Sequence, residues 1–368
     1  MKTIDRSLAC LLGGAAGDAL GYSVEFWSEA RIFQQYGRPG ISEYALSGGQ
    51  ALFSDDTQMT LFTATGLLQG LTEAREAGVE PDYPAAIWAS YRSWYRTQTA
   101  SWPPSAGDRG SWLKNVRELY SLRAPGNTCL RALGQNIPGS TRRPINHSKG
   151  CGGVMRVAPV GLFFAHSDRD QAFSDRIAAE AAALTHGHEL GYLPAAALGH
   201  MIRLLAEGRD LLTSAEDALA AMPALFPEAE SMDDFLALMN RALDLAESGS
   251  PDLEAIHRLG QGWVAEETLA ISLFCALRHR DDFDRALIAA VNHEGDSDST
   301  GAVTGNLLGA ALGMEGIPEK FLRKLELRPL LEELALDLCR GSESGADLAD
   351  PLWRKKYLAA SYSPTFRP

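Results

Sequence analysis

An all-α protein is the fold class that this sequence predicts, and three observations carry the prediction. Apolar residues rich in Ala and Leu recur at three- and four-residue spacing over residues 178–184, 198–206, 235–246, 266–277 and 286–291. Breaks rich in Gly, Pro and Asp follow most of them, at Gly208-Arg209-Asp210, Ser248-Gly249-Ser250-Pro251 and Gly316-Ile317-Pro318. No convincing series of alternating apolar and polar positions marks strands, which disfavours a Rossmann or sandwich architecture.

The chain has 368 residues, 45% hydrophobic and 22% charged. That is ordinary for a folded protein and long enough to bury a large core without disulfides or a structural metal. No composition shift marks a domain boundary, and no repeat of solenoid period is present, so residues 1–368 are expected to form a single domain. Five scattered cysteines, without a Cys-x-x-Cys pair, argue against a disulfide framework and a zinc site and fit a reducing compartment. The net charge of −13 argues against general nucleic-acid binding, which rests on cationic contacts to phosphate. A phosphate-bearing substrate would need metal or a few local cations here.

From the N-terminus, residues 7–16 are apolar enough to imitate a short signal peptide, but the run stops at Asp18. No uncharged apolar stretch reaches the roughly 18 residues that span a bilayer, so no membrane association and a cytoplasmic location are expected. Gly13, Gly17 and Gly21 are four apart, as are Gly301, Gly305, Gly309 and Gly313. Positions four apart share a helix face. Glycine costs up to about 1 kcal/mol per helical site relative to Ala, so each ladder predicts close packing of another backbone. Residues 102–109 and 123–153 are dense in Gly, Pro, Asn and Ser and are expected to be irregular and functional.

Two acidic segments stand out. Gly295-Asp296-Ser297-Asp298-Ser299-Thr300-Gly301 precedes the second glycine ladder, with Ser299 or Thr300 placed to cap a helix. An EF-hand counted from Asp296 fails, because position 12 is Leu307 instead of Glu. An Asp-x-Asp-x-Thr phosphotransferase belongs at a strand tip, whereas the flanks here are helical. A hard-cation site completed elsewhere in the chain is the third reading, and a helix cap with no further role stands beside it. Ser54-Asp55-Asp56-Thr57 supplies the partner, since adjacent carboxylates at a helix start call for a cation or donors. Oxygen-only ligands favour magnesium, manganese or calcium over zinc.

These residues resemble the ADP-ribosylglycohydrolase family. The matching motifs run in the family's order: Gly17-Asp18-Ala19-Leu20-Gly21 through Glu25, then Ser54-Asp55-Asp56-Thr57, then Ser148-Lys149-Gly150-Cys151-Gly152-Gly153-Val154-Met155-Arg156-Val157-Ala158-Pro159. Thr185-His186 and Gly295-Asp296-Ser297-Asp298-Ser299 complete them. The likeness covers a motif-bearing core of about residues 7–320, leaving C-terminal helices over 321–368. It implies a compact orthogonal helical domain with a binuclear metal cleft holding two Mg2+ (or Mn2+) ions. Ser54, Asp55, Asp56, Asp296, Asp298 and Ser299 would be the metal ligands. Glu25, Asp55 and Asp56 would serve catalysis, with Glu25 the acidic residue beside the metals. Ser148, Lys149, Gly150, Cys151, Gly152 and Gly153 would lie along the ADP-ribose diphosphate, and His186 near the nucleotide.

The implied function is metal-dependent hydrolysis that removes ADP-ribose from a modified protein side chain by cleaving an N- or O-glycosidic bond. Glycines 150, 152 and 153 would let backbone N–H groups approach phosphate, with helix capping behind them over 154–160. Lys149 and Arg156 would supply the local cations. The alternative is an immunity-type protein that binds and neutralises an ADP-ribosyltransferase toxin; a weaker third is hydrolysis of another nucleotide-sugar or free ADP-ribose derivative. Two departures from the family pattern concern the linkage and the loop. Ala124 stands where arginine-specific members often carry an acid, with Asp108 nearby as a substitute, and Cys151 stands in place of Asn. His186 and His188 are open to a purely structural role as buried histidines.

Overall fold

The computed structural model describes residues 2–105, 110–165, 167–344 and 348–364. Seventeen α-helices run through these residues, without a sheet. The first half holds α1 (Lys2–Gly21), α2 (Glu29–Tyr36), α3 (Asp55–Ala77), α4 (Tyr83–Thr99), α5 (Asn127–Gln135), α6 (Ala158–Phe164), α7 (Gln171–Ala183) and α8 (Glu189–Ala206). The second holds α9 (Leu211–Leu225), α10 (Met232–Glu247), α11 (Asp252–His257), α12 (Ala265–Arg278), α13 (Phe283–Val291), α14 (Ser297–Leu312), α15 (Glu319–Leu322), α16 (Arg328–Ser344) and α17 (Pro351–Tyr357).

The five segments with helical periodicity lie in α7, α8, α10, α12 and α13, and the three breaks fall between helices. Local chemistry explains many ends. Asp170, Asp210 and Asp282 accept from the third residue of α7, α9 and α13. Gly78 closes α3 in the left-handed region at φ 68°, where its N–H meets the Ala74 and Arg75 carbonyls. The 123–153 stretch is less irregular than expected, because the nine residues of α5 form within it. No described helix is long and apolar enough to cross a membrane.

The two glycine ladders pack on each other. α1 makes its most extensive contact with α14, and the rungs pair antiparallel: Gly13 with Gly305, Gly17 with Gly301, Gly21 with Ser297, and Gly309 with Ala9. A Cβ added at Gly301 would stand 2.8 Å from the Gly17 carbonyl carbon, and one at Gly309 2.6 Å from that of Ala9. Real Cβ atoms essentially never come within 3.0 Å of such neighbours. Gly313 is the exception to the stripe: it ends α14 at φ 75° and meets the Asp5 side chain of α1 instead of its backbone. This packing sets the start of α14 beside the end of α1, and so sets Asp298 beside Glu25. Around the pair, Phe62, Trp94, Phe163, Phe235, Phe274 and Trp353 fill a core in which each is at most 2% exposed.

Candidate functional site

Ser54 begins α3 as its N-cap, and its Oγ accepts from the Asp56 N–H at 3.2 Å. Behind this turn lies Asp18, a fully buried residue of α1. Its Oδ1 accepts from the Ser54 N–H at 2.8 Å; its Oδ2 accepts from the Thr57 N–H at 2.9 Å and from the Thr57 hydroxyl at 2.5 Å. Asp18 therefore ties the start of α3 to α1 and fixes where Asp55 and Asp56 emerge. Asp55 is held from the other side too: its N–H donates to the Arg123 carbonyl at 3.0 Å, and its Oδ2 accepts from the Gly126 N–H at 3.3 Å. Arg123 is clamped in turn by both oxygens of the buried Glu326, each at 3.1 Å.

The second acidic segment starts α14, but its cap differs from the expected one. Asp296 is the N-cap residue and its side chain makes no capping bond; Ser299 and Thr300 already lie in the first turn. The Thr300 hydroxyl is spent on the Ala290 carbonyl at 2.7 Å and the Asp296 carbonyl at 2.9 Å, and Asp298 Oδ1 accepts from the Ser299 N–H at 3.0 Å. The Asp296 carboxylate is thereby left for something other than the helix. Its backbone N–H is anchored on the Gln261 carbonyl at 2.8 Å, next to Gly262, where φ is +83° and a Cβ would press on Thr300 and Asp296.

Both helix starts open on one cavity of about 290 Å3, lined by Glu25, Asp55, Asp56, Asp296, Asp298 and Ser299 together with residues 124–129 and 150–152, Met155, His186, Phe26 and Trp263. Oxygens of Glu25, Asp296 and Asp298 lie within 4.8 Å of one another. Ser54 is fully buried and does not line the cavity.

The electrostatics of this cluster are unfavourable as the protein alone presents them. Burial raises the carboxyl of Asp18 to about 7, and the charge of Asp298 adds to the effect. Burial, then the charges of Asp298, Asp296 and Asp55, push Glu25 up to about 11. Asp55, Asp56 and Asp296 are held well above the usual carboxylate range, first by burial and then by Asp298. Glu25 Oε2, Asp56 Oδ2 and Asp296 Oδ2 are buried without a hydrogen-bond partner among the described residues. Orphaned carboxylate oxygens converging from three segments are a donor set for hard divalent cations, and the residues fit such ions.

The glycine turn gives a more divided picture. Residues Cys151–Gly153 form a 3-10 turn, and α6 begins only at Ala158 with Val157 as a cap that makes no side-chain bond. The helix start expected over 154–160 therefore lies at Ala158, five residues past Gly153 and without a side-chain cap. Gly150, Cys151 and Gly152 line the cavity, whereas Ser148, Lys149 and Gly153 do not. Ser148 Oγ lies 3.2 Å from the Thr128 hydroxyl. The Lys149 ammonium pairs with Glu266, and Arg156 is fully buried. With Lys149 held by Glu266 and Arg156 enclosed in the core, neither lines the cavity as a cation for phosphate. Burial lifts the Cys151 thiol well above its ordinary value, reinforced by Asp296, so it is a neutral lining group. His186 lines the cavity, while His188 caps α8 by accepting from the Leu190 N–H at 3.0 Å.

Several residues were not identified from the sequence. Asp18 and Glu326 act through long-range bonds, which no local spacing announces. Phe26 and Trp263 stack at the cavity mouth with ring centroids 5.4 Å apart, and Phe26 is 69% exposed at φ +64°. The signal available for Phe26 was its position beside Glu25. Ala124 lines the cavity at φ +53°, and Asp108, its suggested substitute, lies outside the described residues.

Comparison with known proteins places this geometry in context. A profile described as ADP-ribosylglycohydrolase matches residues 1–347. The chain is 26% identical over 326 residues to the ADP-ribosyl-[dinitrogen reductase] glycohydrolase of Rhodospirillum rubrum, covering 88% of this chain and 91% of that one. It is 26% identical over 360 residues to the ADP-ribosylhydrolase ARH3 of Homo sapiens, covering 88% and 90%. An ADP-ribosylarginine hydrolase of Pseudomonas putida is 25% identical over 338 residues, covering 92% and 78%. A solved structure titled ADP-ribosylglycohydrolase-related protein complex aligns with a TM-score of 0.59 at 28% identity, over 93% of this chain and 99% of that one.

Proposed function

The chain belongs to the ADP-ribosylglycohydrolase family, and from that premise we propose that it is a metal-dependent hydrolase releasing ADP-ribose from a modified protein side chain. The observation that carries this reading is the convergence of Glu25, Asp296 and Asp298 within 4.8 Å, with buried carboxylate oxygens that nothing among the described residues satisfies. In it, Asp55, Asp56, Asp296, Asp298 and Ser299, with Ser54 behind them, would hold two magnesium or manganese ions. Such ions, when bound, offset the clustered negative charge and supply Lewis acidity toward sugar oxygens.

The remaining roles belong to the chain's own groups. A water oxygen bonds to the anomeric carbon as the bond to the side-chain nitrogen or oxygen breaks. The bonding pair leaves with the acceptor, which gains a proton, and ADP-ribose is freed. The reaction passes through oxocarbenium character, which nearby carboxylates stabilise. Glu25, held protonated in the protein alone by burial and the neighbouring acids, would take the proton of the attacking water once bound cations offset that charge; its Oε2 lies at the cluster without a partner among the described residues. The Gly150–Gly152 turn and His186 form the wall along which the diphosphate would lie, and the stacked Phe26 and Trp263 flank the entrance.

The test is release of free ADP-ribose from arginine-linked and serine-linked ADP-ribosylated proteins, with and without magnesium. Asp55→Ala and Asp298→Ala are expected to abolish release while helical circular dichroism persists. Undiminished turnover in either variant, or after chelation of metal, would refute the proposal.

A further inference from the structure

Arg156 is an unusual residue to find fully buried, because no carboxylate meets it among the described residues. Its Nη2 donates to the Thr185 hydroxyl oxygen at 2.6 Å and to the Ala181 carbonyl at 3.0 Å. Its Nη1 points at the sulfurs of Met59 and Cys129, at 3.4 and 3.5 Å, and the guanidinium lies 4.3 Å from the Tyr91 ring centroid. Burying a cation without an ion pair costs several kcal/mol, so the arrangement calls for a use beyond filling the core.

Thr185 links that charge to the cavity. It is fully buried, and its Oγ1 lies 2.8 Å from His186 Nδ1. A guanidinium only donates, so the Thr185 oxygen accepts from Arg156 and its single proton is free to go to Nδ1. The Arg156 charge also polarises the hydroxyl in that direction. With Nδ1 accepting, the ring proton sits on Nε2. Burial, and then the Arg156 charge, hold the His186 pKa down at about 3, which keeps the ring uncharged. Nε2 is directed at the glycine turn: a Cβ built at Gly150 would be 3.4 Å from it and one at Gly152 3.2 Å. Gly150, Gly152 and His186 all line the cavity.

We propose that Arg156 and Thr185 are positioning residues that hold His186 as the neutral Nε2–H tautomer, giving the cavity one fixed donor for an oxygen acceptor of the ligand. The ligand class, a phosphate or ribose oxygen of ADP-ribose, rests on the proposed function; the tautomer does not. The relay explains how a ring with no charge still favours one ligand orientation, and why glycines stand opposite it. A neutral donor also keeps cationic charge off the rim of a site that has its own cations to hold.

Nitrogen-15 NMR of histidine-labelled full-length protein at neutral pH reads the tautomer directly. His186 is expected to show an unprotonated Nδ1 and a protonated Nε2. Thr185→Val, which keeps the shape and removes the hydroxyl, is expected to give a mixture of tautomers, and Thr185→Ser to restore the single form. In hydrolysis assays Thr185→Val is expected to raise KM about tenfold, with kcat within about twofold, and Thr185→Ser to recover KM. An Nδ1-protonated ring or an imidazolium in the unaltered protein overturns the proposal, as does a Thr185→Val protein with unchanged tautomer. A correct tautomer in a protein that hydrolyses no ADP-ribosylated substrate would instead refute the functional reading and leave the relay standing.

Discussion

Replacing Gly305 by alanine separates two accounts of the glycine ladders by the sign of the effect. In an unconstrained helix, Gly→Ala stabilises by up to about 1 kcal/mol. At Gly305 the added Cβ would sit 2.5 Å from the Gly13 carbonyl carbon and 3.0 Å from the Gly14 nitrogen, with the Gly13 oxygen nearer still. All three are backbone atoms of a helix, so no side chain can swing away. α14 and α1 must part by about 1 Å to clear them, and overpacking of this kind costs about 1–3 kcal/mol. With the whole interface resisting, the upper end applies, and a net loss of about 2 kcal/mol remains after the helix gain.

An unfolding entropy of about 2.1 cal/mol/K per residue turns that loss into a Tm lower by about 3 °C in a 368-residue chain. Differential scanning calorimetry under chelated conditions measures it. The same separation moves Asp298 and Ser299, which ride the first turn of α14, away from Glu25. A misplacement near 1 Å can cost about 100-fold in rate, so kcat/KM for ADP-ribose release is expected to fall at least tenfold. A Tm that rises, or one that stays put with full activity, would refute the reasoning, since glycine would then be dispensable to the packing.

Further expectations concern the carboxylates and the entrance. Without metal, Asp18 and Glu25 bind protons more tightly folded than unfolded, with values of about 7 and about 11. Their contribution to stability is therefore complete below the ordinary carboxylate range and fades as pH rises through those values. Chelated protein is expected to melt at a lower temperature at pH 8 than at pH 5. Saturating magnesium at 100 Kd should then restore about 2.7 kcal/mol; an opposite slope, or no response to magnesium, would count against a cation-dependent cluster. Asp18→Ala strips acceptors from two backbone N–H groups and a hydroxyl. A loss of about 2 kcal/mol and weaker magnesium binding by calorimetric titration are expected. Phe26→Gly relieves a left-handed backbone at a residue 69% exposed, so an unchanged or higher Tm with a raised KM is expected; a lowered Tm with unaltered KM would assign the ring to packing.

Much of this was legible in the sequence where the determinant is local. The helices α7, α8, α10, α12 and α13 show in the apolar spacing because each buries apolar residues over two or more turns in which the spacing can repeat. The glycine ladders were legible for the same reason, as a stripe can be counted along one chain even though its partner cannot be read. Asp55, Asp56, Asp296 and Asp298 stood out because carboxylates at a helix start need satisfying. What escaped were features made by distant segments. Arg156 read as a cation for phosphate because its letter carries a charge, yet the fold gives its donors to Thr185 and Ala181. Lys149 met Glu266 in the same way, across more than a hundred residues. Phe26 went unread because only the left-handed turn after Glu25 turns its ring outward.

The glycine ladders and the acidic cluster are one solution to one electrostatic problem. Gathering Glu25, Asp55, Asp56, Asp296 and Asp298 in a buried cleft is strongly opposed by burial of their charge and then by their mutual repulsion, as the upward pressure on four of them records. Two devices within the chain reduce that opposition. The carboxylates of Asp55, Asp56 and Asp298 stand in the first turns of α3 and α14, where the helix dipole favours negative charge by roughly 0.3–1 kcal/mol each. Those terms are too small to offset several buried like charges, so the backbone must hold the acids in place by force. Helices that touch through carbonyls and Cα atoms have no side chains to yield, which is what the Gly17–Gly301 and Gly13–Gly305 rungs provide. A rigid frame that keeps unsatisfied carboxylates together is preorganised for a divalent cation, because the protein has already borne the cost of assembling the ligands. It follows that loosening the ladder should raise the stability of the metal-free cluster at the carboxylates themselves while lowering cation affinity. In Gly301→Ala, the part that Asp298 adds to the burial-raised Asp56 carboxyl should therefore shrink, as titration by carbon-13 NMR of the carboxyl would report. A variant that kept both the shift and the magnesium affinity would show that the frame lies elsewhere.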